Sequence, residues 1–334
     1  MTHPSRFLST LCTAGLLASI ACAGAPEPRD ERPVGPYLGQ EPPGAEARLF
    51  APGFVSTDAF ERDAAFTSDG LSFYFTLILG EASAIVVTSR GADGRWSTPE
   101  VAPFSGRWRD LEPAIAPDGS RFYFVSNRPG PGRAPDRTDS DVWVMDRLAD
   151  GWGEPRPLPT EVNSPVDEWY PSLTRDGTIY FTRTEAEREG IWRARADGDG
   201  FAAAERLPET VNATRAQFNA FVMPDESALI FGSAPREGGV GRADYWVSFR
   251  RPDDTWTEAV NLGPEVNSAA NEYCPYLTPD GRYFVFNSTR TTVAPPAGGA
   301  GWSYEALRRA GHSPGNGQSD LYWIDAGFLA TLHP

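Results

Sequence analysis

The stretch Glu112-Pro-Ala-Ile-Ala-Pro-Asp-Gly-Ser-Arg-Phe-Tyr-Phe-Val-Ser-Asn-Arg128 reads as a short strand, a tight turn and a second strand rich in aromatics. Proline presets φ, aspartate bonds its own backbone and glycine accepts φ > 0, so Pro117-Asp118-Gly119 marks the turn. A close copy runs from Pro275 through Pro279-Asp280-Gly281 to Arg290. Counting back eight places from the turn aspartates Asp69, Asp118, Asp176, Asp225 and Asp280 gives Glu61, Asp110, Glu168, Gln217 and Glu272. Thirteen places back stand Ser56, Ser105, Asn163, Asn212 and Asn267. Five copies that keep this register without insertion or deletion are a structural repeat. Spacings of 49, 58, 49 and 55 residues between the turn aspartates suit a propeller, solenoid or array.

Each unit carries further short runs of β-branched and aromatic residues between turn signals. Third strands read Asp141-Val-Trp-Val144, Asp244-Tyr-Trp-Val247 and Asp320-Leu-Tyr-Trp323, and outer strands end at Asn163, Asn212 and Asn267. Four strands per repeat describe a propeller blade. The expected fold is all-β, a five-bladed propeller of four-stranded blades spanning 48–334, with six blades as the alternative. The fifth repeat ends after its third strand, so the segment around Phe50 is expected to supply its fourth and close the ring. Excess length falls in insertions at about 128–140 and 291–319. The second holds a predicted helix, Tyr304–Ala310, with Ser303 as N-cap and Gly311 as its stop.

The 112–128 and 275–290 stretches, continued by Asp141-Val-Trp-Val and Asp320-Leu-Tyr-Trp, resemble the WD40-like PD40 repeat of the TolB-like propellers. The resemblance covers roughly residues 48–326. It implies the propeller fold and membership among exported bacterial proteins of unknown role, and it leaves function open, because binding proteins and enzymes share the repeat. TolB proteins carry a separate N-terminal α/β domain, which residues 24–46 are too few to form.

The chain of 334 residues carries a formal net charge of −15, from 45 acids against 30 bases, and no lysine. Lysine Schiff bases, lysine general bases and the P-loop lysine are therefore excluded, and the acidic balance argues against nucleic acid. Residues 1–22 read as a signal peptide of lipoprotein type, with Cys22 as the lipidated residue and plain secretion as the alternative. Residues 23–47, rich in proline and glycine, are expected to form a tether. The expected location is the periplasm or outer membrane, and membrane contact is expected only through the anchor. Cys274 is the single cysteine of the folded part, so no internal disulfide is possible. With only His312 and His333 beyond the signal, no Ser-His-Asp triad or His-based zinc site can be assembled in the core.

The candidate ligand- or cation-binding residues are Glu61, Asp110, Glu168, Gln217 and Glu272, together with Asp63, Glu112, Tyr170 and Asn219 two places on. Five-fold placement would gather up to six carboxylates at one mouth of the channel, where mutual repulsion favours a divalent cation or a cationic ligand. No organic cofactor is implied. The expected partner is an envelope protein, peptide or glycan, bound by a monomer through an acidic funnel. The alternative is a glycosidase-like hydrolase using paired carboxylates. No individual acid stands out as catalytic.

Overall fold

The computed structural model describes residues 31–131, 137–295 and 301–332. The signal segment and Cys22 lie outside the described residues. Residues from Arg32 onward form one compact unit. It is all-β and propeller-like, built of several antiparallel sheets.

The first sheet joins Phe60–Phe66, Ser72–Leu79, Ala82–Ser89 and Glu100–Val101. The second joins Asp110–Ile115, Arg121–Ser126, Asp141–Leu148 and Arg156–Pro157, with Gly151–Trp152 as a side strand. An eight-stranded sheet follows, made of two halves. One half begins with Glu168–Leu173 and the other with Ala216–Val222, and a single parallel pair, Glu189 with Ala216, links them. The last sheet joins Glu272–Leu277, Tyr283–Ser288, Asp320–Asp325 and the early strand Arg48–Leu49. Arg48 pairs with Trp323 and Leu49 with Tyr322, and the Phe50 amide donates to the Leu321 carbonyl at 2.8 Å.

Second strands alternate their aromatics between two neighbours, because successive side chains of a strand point to opposite faces. Phe122 and Phe124 pack on Tyr74 and Ile85 of the preceding sheet, while Tyr123 packs on Ile179 and Phe181 of the next. Tyr180 meets Phe231 and Trp246; Ile230 meets Phe284 and Phe286. Val285 and Trp323 of the last sheet meet Phe66 and Phe73 of the first. Each inner strand lies against the next, and the fifth against the first.

The stretch expected as the end of the tether is docked from Pro33 onward. The Trp96 indole N–H donates to Gly35 O at 2.7 Å, and Leu38 is buried. The Tyr37 ring meets the Tyr283 ring edge-on at 4.9 Å. Apolar side chains among the prolines hold it there. The insertion helix spans Tyr304–Gly311, and the Ser303 hydroxyl accepts from the Ala306 amide at 3.1 Å. No helix among the described residues is long and apolar enough to cross a membrane.

Candidate functional site

Every inner strand breaks register at the same place. Shifts fall between Arg62 and Ala65, Leu111 and Ala114, Trp169 and Ser172, Phe218 and Phe221, and Tyr273 and Tyr276. Within each shift one residue adopts left-handed backbone: Asp63 (φ 65°), Glu112 (57°), Tyr170 (50°), Asn219 (49°) and Cys274 (57°). Such β-bulges turn a side chain out of the strand's alternation. The bulge therefore separates two sets of residues that strict alternation would have placed on one side.

The first set stays inside its own repeat. Glu272 accepts from the Ser268 amide (3.1 Å), the Ser268 hydroxyl (2.6 Å), the Ser288 hydroxyl (2.7 Å) and Arg290 (3.2 Å). Glu168 repeats this with the Ser164 amide and hydroxyl and with Arg183 at 2.8 Å. Asp110 takes Ser105, Ser126 and, at 2.6 Å, Arg128. Glu61 accepts from the Thr57 amide and hydroxyl, and Gln217 donates to Thr214 and Ser233. All five are fully buried or nearly so. Burial pushes the carboxyls of Glu61 and Glu168 up to about 7. These residues brace the loop that enters each inner strand and do not meet around a mouth.

The asparagines thirteen places before the turn aspartates are bracing too. The Asn163 and Asn212 side chains each clamp both backbone groups of a third-strand residue, Val142 and Ile191, at 2.8–3.0 Å, and Asn267 clamps Tyr245 at 2.8 and 3.1 Å. Arg128 and Arg290 pair with Asp110 and Glu272 of their own repeat. Asp244 and Asp320 accept from loop amides, at Val240 (2.7 Å) and Gly315 (2.9 Å).

The second set converges. Arg62 donates to Asp63 (3.1 Å), to Glu112 (2.5 Å) and to the Cys274 sulfur (3.1 Å). Glu112 also accepts from the Tyr170 amide at 2.6 Å and the Asn219 side chain at 3.3 Å. The bulge amides are met from the preceding repeat: Asp63 by Asn287 (2.8 Å), Glu112 by Asp63 (3.0 Å) and Asn219 by Thr182 (3.0 Å). Side chains from all five repeats thus close the axis in one polar knot. Burial pushes the Glu112 carboxyl up, while the Arg62 guanidinium opposes that shift.

Cavities lie at both ends of the knot. On the turn side, about 370 Å³ is walled by prolines and apolar residues including Phe66, Tyr170, Phe221 and Tyr276. On the other side opens a funnel of about 430 Å³. Arg62, Glu112 and Asn219 form its floor; Phe60, Trp169, Phe218 and Tyr273 contribute aromatic wall, with Arg109 and Glu189 beside them. Arg109 lies over the Trp169 ring at 5.5 Å. Gly232 sits across the ladder from Phe218, and a Cβ there would come within 2.4 Å of its ring, so glycine is what lets Phe218 lie flat.

The funnel differs from the expected cluster of six carboxylates. Of those six only Glu112 lines it, and Arg62 and Arg109 balance Glu112 and Glu189. Among the described residues no three His, Cys, Asp or Glu side chains stand close enough to hold a metal ion. Arg62 and Leu111 were not singled out from the sequence; they occupy the same register as Trp169, Phe218 and Tyr273, one place before each bulge.

No family model and no curated protein matches the sequence. Solved structures of similar shape include TolB from Acinetobacter baumannii (16% identity, TM-score 0.46, 80% of this chain), of which this chain covers 57%. A putative TolB from Agrobacterium tumefaciens shows 16% identity and a TM-score of 0.47, over 80% of this chain and 90% of the other. The native arabinanase Arb43A of Bacillus subtilis shows 11% identity and a TM-score of 0.49, over 81% and 95%. Overlaps this loose carry no weight for function, and the fold stands on the chain's own strand pairing.

Proposed function

We propose that this chain is a five-bladed, TolB-like propeller of the PD40 kind, exported to the cell envelope, that takes a ligand into the funnel at its axis. The five blades are the two four-stranded sheets at the chain ends, the second sheet, and the two halves of the eight-stranded sheet, closed by the pairing of Arg48 with Trp323. The observation that carries the binding reading is the funnel itself. A cavity of about 430 Å³, within the usual range for small-ligand sites, ends on a floor of interlocked polar side chains under aromatic walls. The first-set acids, being saturated within their loops, support the frame; Asp63, Glu112 and Asn219 with Arg62 hold the floor.

A thermal-shift screen of metabolites, oligosaccharides and peptides, run on the wild-type chain and Phe218→Ala, tests this. Ligands that stabilise the wild type should lose that effect in Phe218→Ala. Equal shifts in both proteins would refute the funnel as the site. The hydrolase alternative draws on the raised carboxyl of Glu112. Against it, Asp63, which bonds the Glu112 amide, is fully buried with both carboxylate oxygens engaged, one by Arg62 and the other by that amide.

A further inference from the structure

We infer that the funnel ligand is a neutral saccharide; this rests on the funnel being the binding site. The first reason is that the floor offers no free carboxylate oxygen. One oxygen of Asp63 accepts from Arg62 and the other from the Glu112 amide. Glu112 accepts Arg62 and Asn219 on one oxygen and the Tyr170 amide on the other. An ammonium group or a metal ion would have to displace those donors or rest on the single carboxylate of Glu189, whose charge Arg62 and Arg109 in the same lining oppose.

The second reason is that four of the five bulge amides facing the axis are already taken. The bulge amides of Asp63, Glu112, Tyr170 and Asn219 already donate to neighbouring side chains. A peptide could not add to the axis as an extra strand, the mode that draws its affinity from main-chain bonds.

The wall supplies what a sugar needs. Trp169, Phe218 and Tyr273 stand at one register position in three successive repeats and line the funnel, with Arg109 over the Trp169 ring at 5.5 Å and Arg62 over the Tyr273 ring at 5.4 Å. The C–H faces of a pyranose or furanose stack on such rings through dispersion. Between them, half-buried Glu189 and the Asn271 amide can exchange hydrogen bonds with hydroxyls. The volume admits a short oligosaccharide.

The test is titration calorimetry with tryptophan fluorescence on the purified chain. The probes are maltotriose, cellotriose, xylotriose and arabinotriose, with one acidic and one basic pentapeptide and calcium chloride alongside. At least one trisaccharide should bind and quench emission. Trp169→Ala should weaken it at least tenfold, Trp169→Phe should keep most of the affinity, and the melting temperature should hold in both. No trisaccharide binding to the wild type overturns the inference. Peptide or calcium binding that is lost in Trp169→Ala keeps the funnel as the site but refutes the saccharide. Saccharide binding indifferent to both Trp169→Ala and Phe218→Ala refutes the funnel as well.

Discussion

Replacing Glu272 by glutamine tests whether the first set is frame or binding site. The carboxylate takes four donors: the Ser268 amide and hydroxyl, the Ser288 hydroxyl and Arg290. Glutamine keeps one acceptor oxygen and turns an NH2 toward donors, leaving the Arg290 guanidinium facing a neutral amide. Removing one partner of a buried ion pair typically costs about 3–5 kcal/mol. Arg290 is 19% exposed in its side chain and can recover some hydration, which sets the expected loss near the lower limit, about 3 kcal/mol. At about 2.1 cal/mol/K per residue over roughly 300 residues, the unfolding entropy is about 0.6 kcal/mol/K, so Tm should fall by about 5 °C. Calorimetry of the purified variant measures this, and ligand titration at a temperature where both proteins are folded should give equal affinities. An unchanged Tm with weakened binding would show that Glu272 contacts ligand, and the division into frame and funnel would be wrong.

Three further outcomes follow from the same geometry. Glu61 and Glu168 are pushed up to about 7, and Asp320 to about 6, by burial. The folded state therefore holds protons that the unfolded chain has released, and stability should fall as pH rises through that window toward 8. Asp118, Asp176 and Asp225 are lowered by hydrogen bonds from Ser120, Thr174 and Ser227, and their stabilisation is lost as pH falls below the ordinary carboxylate range. Melting curves should peak near about pH 5; a steady rise from 5 to 8 would contradict the assignment. Phe50→Ala empties a fully buried site against Phe73 and Trp323; a loss of about 3–5 kcal/mol is expected, read by denaturant unfolding, and a change below 1 kcal/mol would mean the last sheet does not depend on the early strand. Cys274 is buried with its thiol pushed well above the usual range. With Cys12 and Cys22 replaced by serine, the native chain should resist a thiol reagent at pH 8 and react only once unfolded; rapid native labelling would show an open axis.

The turns and strands could be read from the sequence because they rest on local chemistry. Pro-Asp-Gly fixes φ and hydrogen bonding within four residues, and Phe122-Tyr-Phe124 declares its two faces by alternation alone. The first set was visible as a column for the same reason: Glu272 and Glu168 answer to a Ser four places earlier, a short-range device. What alternation could not reveal was the bulge, because its five left-handed residues are Asp63, Glu112, Tyr170, Asn219 and Cys274 and none is glycine. That backbone is held by contacts from the neighbouring repeat, over 36 to 224 residues of sequence separation, and no local pattern announces it. The funnel wall is legible in part, because Trp169, Phe218 and Tyr273 flank the acidic column in the sequence as rings able to stack on a sugar or peptide. Those three share ring chemistry as well as a place in the fold, while Arg62 and Leu111 at the same place share only the place.

The hand-over of bulge amides from one repeat to the next has a consequence for how this chain can change. Asn287 serves Asp63, Asp63 serves Glu112, Glu112 serves Tyr170 and Thr182 serves Asn219. Each donor meets a different acceptor: an amide oxygen, two carboxylates of unequal length, a hydroxyl. Duplicating, deleting or shuffling a unit would bring together a donor and an acceptor of the wrong reach among buried groups, where a lost bond is costly. Repeats that began as copies have thus become keyed to their positions. The surface loops remain free to diverge, while the tally of units is locked from within.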